Sequence, residues 1–315
     1  MAVPGGWDGG KVFFHVHGWR PADSPHEANL KLEDPLYQKI LDAGWAIGRT
    51  AFAENGVDHP AHTQDLYRLK GWIADNLGPV ERLILEGEST AGTLVLRIAE
   101  QDPDLADGVI ALSPWITFDD PEAVDFLTAE PQIPAIVMAN TPEINAPVQY
   151  TTLAMDAGHP PSLRPVIRPG HVNLNWVERW EAIQDLNAWI ETGKAPGYTN
   201  GTRPVPPRET GTTVVDGHLV NSVVEVNVYY GNAFLGFHPD EWLEAGLKQG
   251  EPVEIEAHGE RWSVLFGKTY GDVPEGDWVA FPTAGDRIML VRNHRSAINT
   301  ANLSVGDTVR VKLPE

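Results

Sequence analysis

The stretch Leu83–Ala99, with the sequence LILEGESTAGTLVLRIA, decides the fold of the first part of the chain. An apolar run ends at Glu86, and an apolar pattern with the period of a helix follows Ser89, so the stretch predicts a strand, a sharp turn and a helix. Gly87 and Ala91 are small enough for Ser89 to occupy the strained apex of such a turn, which resembles the G-x-S-x-G pattern of a nucleophile elbow. The simpler interpretation is a serine that caps a helix after a strand.

Strands and helices alternate on both sides of this stretch. We expect strands at Lys11–Val16, Trp45–Phe52, Asp107–Leu112, Ala135–Met138 and Pro165–Ile167, and helices at Asp34–Ala43, Thr63–Leu77 (with Thr63 as its cap) and Trp176–Ile190. This alternation predicts the α/β class, with an open, mostly parallel sheet. The candidates for chemistry follow strand ends, where such sheets place their sites: His17, Ser89, Trp115, Asn140–Glu143 and His171.

The second part of the chain has a different character. Residues 193–210 are rich in proline and glycine and predict a linker. Residues 211–315 then carry short β runs separated by Gly, Asn, Asp and Pro, which predicts an all-β, barrel-like domain. The expected organisation is therefore an α/β domain at 1–192, a linker at 193–210 and a β domain at 211–315.

The composition excludes several classes of protein. The chain has 315 residues, a formal net charge of −21 and no cysteine. The negative charge argues against partners such as nucleic acid or an anionic membrane, which need a basic surface. No run approaches the ~20 apolar residues of a membrane span, and no signal peptide is visible, so we expect a cytoplasmic protein.

No metal or cofactor is expected. The absence of cysteine excludes thiolate catalysis and zinc–thiolate sites. His15 and His17 form a close pair in the sequence, as do His59 and His62, but neither pair has the further ligands that a metal site needs.

A nucleophilic serine needs a base. Two histidines follow Ser89 in the α/β domain, His159 and His171. His171 follows a predicted strand and precedes a helix, whereas no strand leads to His159. We therefore expect His171 to be the base, with a histidine that merely begins a helix as the alternative.

The base in turn needs an orienting acid after a strand, between the serine and the histidine. Glu143 is the carboxylate in the loop after Ala135–Met138 and is the expected acid. Asp119 and Asp120, which follow the previous strand, are the alternatives, and a solvated charge is the simpler interpretation of Glu143.

Backbone N–H groups are the expected donors to an oxyanion. One is that of Thr90, directly after Ser89, and the other lies near Gly18 and Trp19, in the loop after the first strand. Trp19 and Trp115 are candidates for the walls of the substrate pocket, although tryptophans more often pack in a core.

Residues 11–191 resemble the α/β-hydrolase superfamily in the motifs His17-Gly18-Trp19, Gly87–Ala91, the Glu143 loop and Gly170-His171. The order serine, acid, histidine also matches. The resemblance implies a serine hydrolase that cleaves small-molecule carboxylic esters through an acyl-enzyme. The two leading antiparallel strands of that superfamily are missing from the sequence, and the segment after Trp115 is too short for a large cap, so we expect an open site.

Residues 210–315 resemble the C-terminal β domain of the S-adenosylmethionine hydroxide adenosyltransferase and fluorinase group. The resemblance lies in four segments: Val226–Asn232, Gly267–Val273, Pro282–Asp286 and Gly306–Val309. It implies that Tyr230 and Asn232 are the positions for ligand contacts in this domain. The alternative function is accordingly a protein that binds a nucleoside or S-adenosylmethionine and carries a degenerate hydrolase domain. The segment Pro282–Gly285 departs from the pattern, and the N-terminal domain of that group is missing, so adenosyl transfer is not expected.

That second resemblance also implies assembly, because subunits of the group form trimers with sites between neighbours. Tyr229, Phe234, Phe237 and Trp242 offer more apolar surface than a small barrel needs, which favours a partner surface. Filling of the barrel core is the alternative. We expect a homo-oligomer, a trimer before a dimer, with the β domain close to the hydrolase site.

Overall fold

The chain forms two units. By contacts they divide into Met1–Pro204 and Val205–Glu315. The structure, a computed structural model, describes residues 1–118, 120, 122–123, 126–205 and 209–314.

The first unit alternates strands with helices. Its strands are β1 (Gly10–Val16), β2 (Ala46–Gly48), β3 (Val80–Glu88), β4 (Gly108–Leu112), β5 (Ala135–Asn140) and β6 (Ser162–Val166), and its helices are α1 (Pro35–Asp42), α2 (His59–Asn76), α3 (Thr90–Gln101), α4 (Asn145–Asp156) and α5 (Trp176–Thr192). The strands form one sheet with the order β2-β1-β3-β4-β5-β6, and each of these pairings is parallel. The predicted α/β class with a parallel sheet is confirmed.

Both faces of this sheet are buried. Val12 and Phe14 of β1 pack in a core that contains buried residues of α2, α3 and α4. Phe13, between them, points to the other face and packs in a core with α1 and α5. Because successive strand residues face opposite sides, a sheet covered on both faces needs nearly continuous apolar strands, as the sequence has.

Three predicted elements have wrong boundaries. Strand β6 runs over Ser162–Val166 rather than Pro165–Ile167. Helix α2 begins at His59 rather than Thr63, because Asp58 accepts a hydrogen bond from the Ala61 N–H and caps the helix. The Thr63 hydroxyl instead donates to the His59 carbonyl inside the helix. Strand β2 is only three residues long, and by Phe52 the backbone has turned to a φ of 56°.

Helix α4 was not predicted by the sequence analysis. It buries Tyr150 and Ala154 in the core beneath the sheet. The two leading antiparallel strands are absent from the described part of this sheet. Ala2 makes only an isolated antiparallel bridge to Ile47 of β2.

The second unit is a β barrel. Its strands are β7 (Thr213–Val215), β8 (His218–Asn227), β9 (Asn232–Leu235), β10 (Pro252–Ala257), β11 (Glu260–Phe266), β12 (Trp278–Pro282), β13 (Ile288–Arg292) and β14 (Thr308–Lys312). The strand order is β14-β10-β11-β12-β13-β9-β8-β7, and β14 also pairs with β8. The strands from β8 to β14 thus close on themselves, which confirms the predicted barrel-like domain. Two short helices, α6 (Pro239–Glu244) and α7 (Ala297–Ala301), were not predicted.

Two of the four aromatics that favoured a partner surface lie in the barrel core. Phe237 and Trp242 are fully buried and contact each other edge to face, whereas Tyr229 and Phe234 are partly exposed. Of the four aromatics, Tyr229 and Phe234 therefore remain exposed enough to contact a partner.

The expected linker begins earlier in the sequence than the unit boundary. Residues 200–203 belong to the first unit: the Gly201 N–H donates to the Pro165 carbonyl, the Thr202 hydroxyl accepts from the Ile167 N–H, and the Arg203 N–H donates to Glu178. Of the proposed linker residues, Pro206, Pro207 and Arg208 lie outside the described residues.

These contacts predict that an α/β unit ending at Thr192 is less stable than one ending at Pro204. The shorter chain loses these three hydrogen bonds and also the bond from the Asn175 side chain to the Arg203 carbonyl and the Arg203–Glu181 ion pair, so we expect its free energy of unfolding to be at least about 2 kcal/mol lower. Urea unfolding of the two truncated chains, followed by circular dichroism, measures the difference. Equal midpoints and slopes would contradict this role of residues 200–203.

Candidate active site

Three predicted site residues meet at the carboxyl edge of the sheet. Ser89 follows β3, Glu143 lies in a 3₁₀ turn after β5, and His171 lies in the loop after β6. The ends of neighbouring strands are in register, for instance Leu112 of β4 with Met138 of β5. Parallel strands therefore bring loops from distant parts of the chain to one edge.

The turn at Ser89 is held in a strained conformation. Ser89 has a φ of 56° and a ψ of −120°, a combination that a non-glycine residue adopts only where its surroundings impose it. The Ser89 N–H donates to the Leu112 carbonyl, which ties the apex to β4. A Cβ on Gly87 would lie 2.1 Å from the carbonyl oxygen of Ala91, so only glycine fits two residues before the serine.

A chain of hydrogen bonds joins the three residues. The Ser89 Oγ lies 2.8 Å from the His171 Nε2, and the His171 Nδ1 lies 2.6 Å from the Glu143 Oε1. The other carboxylate oxygen, Glu143 Oε2, is buried and has no hydrogen-bond partner among the described residues. A carboxylate acts only as an acceptor, so the imidazole carries its proton on Nδ1 and presents Nε2 to the serine hydroxyl.

The alternative residues are placed differently. The His159 N–H donates to the Ala154 carbonyl just after α4. The Asp120 carboxylate accepts from the Glu122 N–H in its own loop, and Asp119 lies outside the described residues. The geometry thus joins His171 and Glu143 to Ser89.

The loop after β1 lies against the serine turn. A Cβ on Gly18 would be 2.8 Å from the Glu88 carbonyl and 3.2 Å from the Ser89 Cβ, so this glycine permits a close backbone approach. Thr90 is the first residue of α3, and N–H groups of a first helical turn have no acceptor within the helix. Both expected donor regions therefore flank Ser89.

The expected pocket residues Trp19 and Trp115 are exposed, by 44% and 65%. The Trp115 backbone is fixed, because its carbonyl accepts a hydrogen bond from the Thr93 hydroxyl. A small cleft of about 10 Å³ is lined by Gly18 and Thr90 together with His17, His59 and His62. That volume suits a single water rather than an acyl group.

Burial favours the uncharged form of three histidines of the α/β unit, His17, His62 and His15. His17 is only 5% exposed, and burial lowers its pKa to about 4. Burial also lowers the pKa of His62, and it lowers the pKa of His15 well below the usual value, with the Arg49 and Arg179 charges adding to the effect. Among the described residues, no cluster of three or more His, Asp or Glu side chains could hold a metal ion.

A buried ion pair that no sequence pattern predicted involves the strand that leads to the serine turn. Glu86, three residues before Ser89, accepts from the Arg179 Nε at 3.1 Å, and an Arg179 NH2 group donates to the His15 Nδ1 at 3.0 Å. Burial raises the pKa of Glu86, and the Arg179 guanidinium opposes that shift. A glutamate at the end of an apolar strand is a signal that it has a buried partner, but the sequence does not say which.

The two candidate ligand residues of the β domain differ in exposure. Tyr230 lies in the turn between β8 and β9 and is 51% exposed, whereas Asn232 begins β9 and is buried. Ligand binding by these positions stays a prediction.

Comparisons with known proteins give one family match and a set of similar solved structures. Residues 222–310 match the family of the SAM hydroxide adenosyltransferase C-terminal domain. This match confirms the resemblance of the β domain. No curated protein matches the sequence.

Solved structures similar to the chain include several esterases. Est1E from Butyrivibrio proteoclasticus is 13% identical, with 60% of this chain and 92% of that chain covered and a TM-score of 0.43. Esterase Pf2001 from Pyrococcus furiosus is 15% identical, with coverage of 57% and 80% and a TM-score of 0.42.

An uncharacterized conserved protein from Thermotoga maritima is 16% identical, with 40% of this chain covered and a TM-score of 0.31. The chain spans about half the length of that protein, 49%. At these scores the structural similarities carry no argument about function. Within the described part of the chain, no helix combines the length and apolar character needed to cross a membrane.

The buried His17 predicts a loss of stability in mild acid. In the unfolded chain His17 takes up a proton near pH 6.5, but in the folded protein it does so only near pH 4. The unfolded state therefore binds more protons between these values, and stability falls as the pH is lowered through this window. Between pH 7 and pH 5 we expect His17 to contribute about 2 kcal/mol to that fall.

The matched measurement is urea unfolding of the wild type and of His17→Gln, which does not titrate, at both pH values. Between pH 7 and pH 5 the free energy of unfolding should fall by about 2 kcal/mol more in the wild type than in the variant. Parallel losses in the two proteins would show that His17 is protonated alike in the folded and unfolded states.

Proposed function

We propose that the α/β unit is a serine hydrolase that cleaves carboxylic esters through an acyl-enzyme. The observation that carries the proposal is the unbroken relay from the Ser89 Oγ to the His171 Nε2 at 2.8 Å and from the His171 Nδ1 to Glu143 at 2.6 Å. A nucleophile, a base and an orienting acid at hydrogen-bond distances are the arrangement that acyl transfer requires.

In the acylation step the Ser89 Oγ attacks the ester carbonyl carbon while its proton moves to the His171 Nε2. Glu143 holds the Nδ1 proton and stabilises the imidazolium that forms. The tetrahedral intermediate then expels the alcohol, which takes the proton from Nε2. A water molecule, activated by the same imidazole, releases the carboxylic acid and restores the Ser89 hydroxyl.

The negative charge on the carbonyl oxygen needs donors beside Ser89. The Thr90 N–H at the start of α3 is one, since the helix N-terminus favours anions. The backbone at Gly18 and Trp19 is the other, and the close approach of Gly18 to the serine turn supports it. The exposed rings of Trp19 and Trp115 would flank an open site suited to small esters.

Substitutions in the relay test the proposal. Ser89→Ala should lower kcat for short-chain p-nitrophenyl esters by about 10³-fold or more, and His171→Ala similarly, because both act as one unit. Glu143→Gln should lower kcat by at least about 10²-fold, because the amide no longer favours the His171 tautomer with its proton on Nδ1. Melting temperatures check that each variant is folded.

Matched controls are available for two of these roles. His159→Ala and Asp120→Asn should keep turnover near that of the wild type, since neither side chain joins the relay. If Glu143→Gln keeps full ester turnover while Asp120→Asn or Asp119→Asn loses it, the orienting acid is that aspartate and not Glu143. A folded wild type that turns over no ester of a graded acyl series would refute the esterase proposal.

For the whole chain we propose a homo-oligomer, a trimer before a dimer. The partly exposed Tyr229 and Phe234 support it, together with the trimers that the resemblance of the β domain implies. Multi-angle light scattering over a concentration series should give the mass of three chains of 34.5 kDa. The mass of a single chain at assay concentration would contradict assembly.

A further inference from the structure

The loop that carries His171 has an unusual backbone on both sides of the histidine. Gly170 has a φ of 106° and Val172 a φ of 50°, so two left-handed residues bracket the imidazole. The loop has no regular secondary structure between β6 and α5. Its conformation, and with it the position of the base, must therefore be fixed by contacts with the rest of the unit.

One buried side chain makes two of these contacts. Asn140, the last residue of β5, is fully buried. Its Oδ1 accepts from the Asn173 N–H at 2.7 Å, and its Nδ2 donates to the Asn173 carbonyl at 3.0 Å. A side-chain amide thus binds both backbone groups of a single residue, which fixes that residue in position and in orientation.

Two further contacts support the same loop. The Val172 N–H donates to the Ser113 Oγ at 3.3 Å, from the end of β4. Arg168 donates to the Asn173 carbonyl at 2.8 Å and forms a bidentate pair with Glu178 of α5. Asn140 differs from these residues because, among the contacts described, it binds both the backbone N–H and the backbone carbonyl of Asn173.

Asn140 also links the loops of the acid and the base. It lies three residues before Glu143, at the point where β5 enters the 3₁₀ turn Thr141–Glu143, and it binds the backbone two residues after His171. The same residue therefore limits how far the Glu143 carboxylate and the His171 ring can move apart. The hydrogen bond of 2.6 Å between His171 and Glu143 joins these two loops.

We propose that Asn140 is a positioning residue that holds His171 against Glu143 and Ser89, an inference that rests on the relay of the proposed hydrolase. It touches no reacting atom. Its effect is on the geometry of the base, so its loss should lower the rate of proton transfer rather than the affinity for the ester.

The test compares Asn140→Ala with Thr202→Val. The control removes a hydrogen bond to the same loop, at Ile167, four residues before His171. Asn140→Asp replaces the alanine variant if that variant does not fold. The aspartate has the size of asparagine and still accepts from the Asn173 N–H, but in its ionised form it cannot donate to the Asn173 carbonyl. Melting temperatures verify folding of every variant.

Two readouts are measured. The first is kcat and KM: we expect kcat to fall by about 10- to 100-fold in the Asn140 variants, with KM within about twofold of the wild type. The second is the downfield proton resonance of the His171 Nδ1–H in the protein without substrate, assigned by its loss in Glu143→Ala. It should be present in the wild type and in Thr202→Val and lost or shifted in the Asn140 variants.

An unchanged resonance in a folded Asn140 variant would overturn the inference, as would a change in KM alone. The resonance requires no turnover, so it separates the two claims. A wild type that shows the resonance but hydrolyses no ester refutes the proposed function, and the Asn140 variants still decide whether Asn140 positions the base.

Discussion

The strained backbone at Ser89 is the constraint on which the candidate site depends. A φ of 56° with a ψ of −120° persists in a serine only when the structure around it enforces it. Strand β3 is paired on both sides, the Ser89 N–H is bonded to the Leu112 carbonyl, and α3 begins at the next residue. The sheet and α3 therefore fix the position of the Ser89 hydroxyl. The loops after β5 and β6 have to place Glu143 and His171 within reach of it.

Much of this arrangement follows from local patterns. Gly87 and Ala91 indicate the sharp turn because the chain passes within contact distance of itself there. The alternation of strands and helices predicts a parallel sheet, and a parallel sheet collects its loops at one edge. Choosing His171 over His159 required only the position of a preceding strand, and the same argument favoured Glu143.

Other features of the site depend on contacts between distant residues, which no local sequence pattern predicts. Asn140 and Asn173 are 33 residues apart, and Glu86 and Arg179 are 93 apart. Neither pair belongs to a recognisable motif, so only the folded backbone reveals that they meet. The start of α2 was missed for a smaller reason: Asp58 and Thr63 are both good caps, and the proline at position 60 favours the earlier one.

The most direct test of the central claim is whether Ser89 is chemically activated. A fluorophosphonate probe reacts with a serine that a base deprotonates and leaves ordinary surface serines unmodified. Intact-mass and peptide-mapping spectrometry of the labelled protein should find one adduct per chain, at Ser89, and none in His171→Ala. A folded wild type that stays unlabelled, or an adduct at another serine, would contradict the account.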